Sequence, residues 1–203
     1  GNSMSYAIVI LLWAFFGLQH SYLARPVFKE KVKKYLGETF EKYFYRFFYF
    51  VSQCIVFYFC YDIIKAVDPG EPIFTVPENY LWIIYILNKV SNIFLILTVF
   101  HFDIGRFIGL TDMFNFFYKK EYDDRLNNHY LYKYIRHPMY LAIIFTYFFS
   151  TSIYTPIFFV NLICIIMYVE IGLYYEEKTL IKVFKDEYLE YRKRTYRYFP
   201  FLR

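Results

Sequence analysis

Long apolar runs separated by clusters of lysine and arginine leave this chain few ways to fold. Met4–Leu23, Tyr43–Ile64 and Tyr80–Phe102 are built mostly from Ile, Leu, Val, Phe and Tyr. Each has the length, about 20 residues, that crosses the ~30 Å hydrocarbon core of a bilayer as a helix. A fourth apolar stretch, Leu141–Tyr175, carries one charge, Glu170, and is long enough to cross and return. It predicts a helical hairpin, roughly Met139–Ser150 and Thr155–Tyr175, turning at Thr151–Pro156 with Pro156 at the first helical position. The first arm is short, so the sequence predicts that it tilts or is continued backwards by Leu131–Ile135. In lipid, backbone polar groups must be satisfied within the segment, which makes these runs helices. The expected fold is an all-α integral membrane bundle of about five transmembrane helices.

Charge placement orients that bundle. Arg25–Arg46, Arg106–Arg136 and Lys178–Arg203 hold 21 of the 23 Lys and Arg residues. All three segments fall on one side of the predicted layout, and Lys65 stands on the other among Asp62, Asp68, Glu71 and Glu78. The positive-inside rule then puts the N-terminus outside and the C-terminus in the cytoplasm. The net charge of +5 is accounted for by topology and by attraction to anionic lipid, so no nucleic-acid partner is implied. Gly1–Ser3 reads as a cloning scar. Residues 4–203 read as a single membrane-embedded domain, and Met4–Leu23 as a span rather than a cleavable signal. Pro69, Pro72 and Pro77 predict irregular structure from Val67 to Glu78.

From Glu176 to Tyr198 the pattern becomes amphipathic. Leu180, Val183, Phe184, Tyr188 and Tyr191 recur at helical spacing among charged residues, which predicts an interfacial helix on the cytoplasmic face. Cys54, Cys60 and Cys164 lie in apolar runs and read as small buried hydrophobes. No His, Asp or Glu set has metal-ligand spacing.

Arg136-His137-Pro138-Met139-Tyr140 stands where a charged segment meets the hairpin, and Glu176-Glu177 stands where the hairpin ends. A return crossing brings both to one membrane face, with residues 129–200 forming the cofactor-binding part. Carboxylates suit an ammonium or a ribose diol, Arg and His suit a carboxylate, and apolar walls suit an adenine and a sulfonium. The set therefore fits S-adenosylmethionine. By residue type alone it also fits a helix start and a solvated helix end.

Tyr134-Ile135-Arg136-His137-Pro138-Met139-Tyr140-Leu141-Ala142 resembles the Arg-His-Pro-x-Tyr-x-Gly element of the isoprenylcysteine carboxyl methyltransferase and phospholipid methyltransferase superfamily. Glu176-Glu177, Leu180, Phe184, Tyr188, Tyr191, Arg192 and Pro200 resemble its Glu-Glu-x-x-Leu…Phe-Gly-x-x-Tyr…Tyr…Pro tail. The resemblance implies that Arg136, His137, Pro138, Tyr140, Ala142, Glu176, Glu177, Leu180 and Tyr188 enclose the cofactor. Ala142 and Lys185 stand where that pattern has glycine, and Lys185 there implies no more than a local helix end. Leu18-Gln19-His20-Ser21, with Ala24-Arg25-Pro26 and Phe28-Lys29, is similar to the opening of the methanethiol S-methyltransferase group. Glu41, Tyr45, His101-Phe102-Asp103 and Gly109-Leu110 are similar to its next blocks. The nurim proteins of the inner nuclear membrane share the front and middle blocks, and the retained Glu-Glu tail favours an enzyme.

The resemblance implies methyl transfer to a small thiol, with a prenylcysteine carboxylate or a phospholipid amine as alternative acceptors and a non-catalytic nurim-like protein as the other. His20, His101 and Asp103 end spans on the cytoplasmic side and are the catalytic candidates. His20 reads equally as a helix-end cap, and the closely spaced His101 and Asp103 read as a hydrogen-bonded pair or as an interfacial boundary. Lys89 lies mid-span, where ionisable groups face the bundle interior or a water-filled cavity, and Glu170 is a possible partner.

Overall fold

A computed structural model describes residues 2–120, 126 and 128–198. Pro200 of the tail, and Arg125 and Arg203 of the basic clusters, lie outside the described residues. The described chain is almost wholly helical. It comprises α1 (Asn2–Ala24), α2 (Pro26–Leu36), α3 (Glu38–Tyr43), α4 (Tyr45–Ala66), β1 (Phe74–Thr75), α5 (Leu81–Phe100), α6 (Ile104–Phe107), α7 (Leu110–Tyr118), α8 (Pro138–Phe148), β2 (Ile153–Tyr154) and α9 (Pro156–Arg194). Ser3–Ala24, Tyr45–Ala66, Glu78–Phe100 and Pro156–Arg194 are long and apolar enough to cross a membrane, which marks an integral membrane protein. The apolar length of α9 is residues 156–175, about 30 Å of helix, and its charged part follows.

Contacts divide the chain into two compact units, Gly1–Asp68 with Asp103–Asp124, and Pro69–Phe102 with Arg125–Arg203. In the first, α1 packs on α4, and α7 packs on α3 and α4. Gly109 explains how α7 comes so close. Its φ is +86°, a conformation open to glycine. A Cβ there would stand 2.4 Å from the Phe47 backbone nitrogen, so α7 starts directly on the α4 backbone. Arg46 secures the junction through Asp112, 3.5 Å away, and the Arg106 carbonyl at 3.2 Å.

In the second unit, α8 packs against both α5 and α9. Ser91, Thr98 and Ala142 are buried, and small side chains of this kind let membrane helices approach closely. α8 is only 11 residues long and starts at Pro138. The expected backward extension does not form as α-helix. Tyr130–Lys133 is a separate 3-10 turn, and Pro138 holds His137 out of the α region, at φ −128° and ψ 56°. The turn into α9 follows its sequence signals: Pro156 opens the helix and the Thr155 side chain accepts from the Phe158 amide at 3.2 Å. The loop from Val67 to Glu78 is more ordered than its prolines imply. β1 pairs antiparallel with β2, Phe74 opposite Tyr154 and Thr75 opposite Ile153. Two-residue strands are too short to leave an alternating pattern in the sequence.

α9 contains one break, at Lys185, whose φ of 49° and ψ of −123° are non-helical. The break turns the last stretch, Asp186–Arg194, away from the line of the first.

Candidate cofactor site

The second unit gathers the motif residues around one carboxylate. Glu177 is nearly excluded from water. Its Oε1 accepts from Arg136 Nε at 3.1 Å and lies 2.9 Å from His137 Nε2. Its Oε2 lies 3.8 Å from Arg192 Nε. Glu176 is half-buried, and its Oε2 accepts from the Tyr140 hydroxyl at 3.0 Å. Pro138 accounts for the placement of the first element: it starts α8 with no N–H to satisfy and aims His137 and Tyr140 from its first turn.

The end of α9 and the residues after it hold this cluster in place. Arg136 gives one terminal nitrogen to the carbonyls of Thr195 (2.7 Å) and Arg192 (3.1 Å). Its amide donates to the Tyr196 carbonyl at 2.7 Å, and the His137 amide to the Arg197 carbonyl at 3.1 Å. Buried Tyr191 donates from its hydroxyl to the Tyr132 carbonyl at 2.6 Å. Arg136 thus ties the end of α9 back onto the Arg-His-Pro element. It serves as a brace as well as a charge.

The electrostatics follow. Burial alone would raise the Glu177 carboxyl, but the His137 hydrogen bond, the His137 charge and Arg136 outweigh it and hold the group at about 2. Glu177 therefore stays anionic at neutral pH. Tyr188 is 1% exposed, and its hydroxyl has no hydrogen-bond partner among the described residues. Burial and then the negative charge of Glu177 keep it a neutral phenol. A buried, unmatched hydroxyl beside a charged cluster costs free energy unless something else meets it.

The remaining expected residues fall as follows. Leu180 is half-buried on α9 and Ala142 is wholly buried in α8. His20, in the first unit, lies 3.1 Å by its Nδ1 from Gln53 Oε1, stacks on Phe16 and accepts the Tyr49 hydroxyl on its carbonyl at 2.9 Å. His101 bonds through Nδ1 to the Leu97 carbonyl at 2.6 Å and packs against Tyr130. Asp103 caps α6 by accepting from the Arg106 amide at 3.0 Å. The Lys89–Glu170 pairing is not formed. Lys89 sits over the Tyr85 ring one helical turn back, whereas Glu170 takes Arg197 at 3.0 Å and the Tyr198 hydroxyl. Glu170 is thereby engaged by the tail that Arg136 holds. Among the described residues no group of three or more His, Cys, Asp or Glu is placed to hold a metal. Cys60 is buried, Cys164 half-buried and Cys54 exposed.

Sequence reasoning missed Thr195, Tyr196 and Arg197 because they serve the cluster through backbone carbonyls, which carry no residue signature. It also missed Gln19 and Gln53, although an amide inside an apolar run is itself a signal.

No protein-family profile matches the chain, and no solved structure matches it. Methanethiol S-methyltransferase 1 of Bradyrhizobium diazoefficiens is 28% identical over 210 aligned residues, covering all of this chain and 70% of that protein. Methanethiol S-methyltransferases of Crocosphaera subtropica and Mycobacterium tuberculosis are 26% and 25% identical, over 94% and 91% of this chain and 73% of each of theirs. The chain is thus a homologue, over at least 91% of its length, of three methanethiol S-methyltransferases.

Proposed function

We propose that the protein is a membrane-embedded, S-adenosylmethionine-dependent methyltransferase acting on a small thiol of the methanethiol type. The observation that carries this reading is the meeting of Arg136, His137 and Tyr140 with Glu176 and Glu177. These groups are some 40 residues apart in a chain whose relatives are named for that reaction.

The residues suit the cofactor on a ground independent of the relatives. Among the described residues the buried Tyr188 hydroxyl lacks a hydrogen-bond partner, and the charges of Glu177 and Glu176 both act on it. Glu176 and Glu177 would take an ammonium or a ribose diol, and Tyr188 would add one more hydrogen bond. His137 and Tyr140 fix the two acids, Arg136 braces them against the end of α9, and Pro138, Ala142 and Leu180 shape the apolar surround. When bound, the cofactor supplies an electrophilic methyl carbon on a sulfonium. The chain's task is to position, desolvate and accept a proton. A thiol of ordinary pKa is only a few per cent thiolate at neutral pH, so a base adds rate. His20 and His101 are the candidate bases, with water as the alternative and Asp103 as the further catalytic candidate.

In this reading the N-terminus is outside and the Arg136–Glu177 cluster cytoplasmic, which the distribution of Lys and Arg supports. In this reading α8 makes a fifth, tilted crossing beside the four long helices, residues 129–200 form the cofactor-binding part, and α9 beyond Lys185 lies against the inner leaflet. Purified protein incubated with methyl-labelled cofactor and a panel of thiols, lipid amines and prenylcysteine carboxylates tests the assignment. Transfer to methanethiol supports it; transfer only to a lipid acceptor reassigns the substrate; transfer to none removes the enzymatic reading.

A further inference from the structure

The first unit holds a polar chain inside the apolar packing of α1 on α4. Gln19 and Gln53 pair their amides face to face: Gln19 Nε2 donates to Gln53 Oε1 at 2.6 Å, and Gln53 Nε2 donates back to Gln19 Oε1 at 3.0 Å. His20 Nδ1 lies 3.1 Å from the same Gln53 Oε1. Gln53 is buried and Gln19 and His20 are half-buried, so these bonds are not exchanged freely for water.

Two backbone carbonyls set the direction of the chain. Gln19 Nε2 also reaches the Phe16 carbonyl at 3.0 Å, and a carbonyl can only accept. That fixes which end of the Gln19 amide is nitrogen, and through the reciprocal pair it fixes Gln53. The second anchor is independent. Ser52 Oγ donates to the Tyr49 carbonyl at 2.7 Å, leaving a lone pair toward Gln53 Nε2 at 3.4 Å. Both anchors present the Gln53 carbonyl oxygen to His20. An oxygen there cannot donate, so His20 must.

We infer that Gln53, oriented by Gln19 and Ser52, is a positioning residue that locks neutral His20 as its Nδ1–H tautomer and so places the ring's basic lone pair on Nε2. The consequence rests on the reading of His20 as the base for a thiol. In that reaction the S–H bond breaks as an Nε2–H bond forms, and the sulfur keeps the electron pair with which it attacks. A ring in the other tautomer has its lone pair turned toward Gln53 and cannot take that proton at Nε2.

The test is the 15N spectrum of histidine-labelled full-length protein in detergent micelles, with the His20 signals identified by their loss in His20→Gln. The Nδ1–H tautomer is expected in the native chain. Gln53→Leu is expected to give a tautomer mixture and a fall in thiol-methylation kcat of about 10-fold or more, within the range a misplaced general base allows, with the cofactor KM held within about two-fold. Gln19→Leu, which removes one anchor and keeps the oxygen, is expected to shift the mixture less. An Nε2–H tautomer in the native chain, or an unchanged one in Gln53→Leu, overturns the inference. Should Gln53→Leu fail to fold, the native spectrum and Gln19→Leu decide. If the tautomer is as expected but His20→Gln still methylates thiols at the native rate, the lock stands and the base assignment fails.

Discussion

The Gln19–His20–Gln53 chain and the Arg136–His137–Glu177 cluster both place an imidazole among polar partners away from water, yet they use opposite chemistry. Inside the α1–α4 pair His20 meets the neutral amide oxygen of Gln53, which is itself paired with the Gln19 amide. Past the apolar length of α9 the partners are an anion and a guanidinium. The difference tracks the medium. An ion pair in hydrocarbon must offset a desolvation cost that a neutral amide pair does not meet, whereas at the membrane edge the ionic cluster gains strong directional bonds. The neutral chain can therefore orient a ring, and the ionic cluster can present charge to a charged ligand.

The sharpest way to break this contrast is Glu177→Ala. It leaves Arg136, 5% exposed, without its anion. Removing one partner of a buried pair costs about 3–5 kcal/mol. The variant should melt far below the native protein in detergent and give no heat with S-adenosylmethionine by calorimetry. Glu177→Gln keeps the shape and an acceptor. It should recover part of the stability but not the binding. Native-like melting of Glu177→Ala would show that the cluster does not brace the fold.

Next in size is the pH dependence. The Glu177 carboxyl is lowered from its ordinary value, 4.5, to about 2 in the folded protein. A depressed carboxylate stabilises the fold above its unfolded pKa, and that stabilisation is lost as pH falls through the folded one. Stability should therefore drop between about pH 4.5 and 2, by something on the order of 3 kcal/mol. Glu177→Gln should flatten that slope, as followed by denaturant unfolding across the window. The amide pair of the first unit has no proton to gain there and should contribute nothing to it.

The same contrast explains what could be read from the chain. Spans were legible because hydropathy and basic clusters report the bilayer directly, and the α8–α9 turn because Thr155 and Pro156 are strong local signals. The meeting of Arg136 and His137 with Glu177 was legible because a helical hairpin of α8 and α9 brings motifs distant in sequence together. Part of what stayed hidden depends on backbone atoms. Nothing in the side chains of Thr195 or Tyr196 announces that their carbonyls receive Arg136. Nor does the sequence reveal that Glu170 pairs with Arg197 while Lys89 sits over Tyr85.

A double-mutant cycle sharpens the neutral half of the comparison. Gln53→Leu leaves the Gln19 amide buried without its partner, and polar contacts between membrane helices are worth about 0.6 to 1.7 kcal/mol. Gln53→Leu and Gln19→Leu should each cost about that much. The double variant should cost less than their sum, because neither amide is then orphaned. Additive costs, read from unfolding in detergent, would mean that the two amides are not coupled as the geometry has them.

The smallest expected effect concerns the bend that makes the ionic half possible. Lys185 has a φ of 49° with ψ at −123°, a region that side chains with a Cβ avoid. The conformation is needed because Tyr191, Arg192 and Thr195 must return to Tyr132 and Arg136, which a straight continuation of α9 would prevent. Lysine at this position stores strain, and glycine would adopt the same bend without it. Lys185→Gly also loosens the unfolded chain, which offsets part of the gain. The balance should raise stability by about 0.5–1 kcal/mol, seen as a small rise in Tm with thiol methylation retained. Lys185→Ala keeps the Cβ and should show no such rise. Equal behaviour of the two variants would assign the effect to the lost charge and leave the bend unstrained.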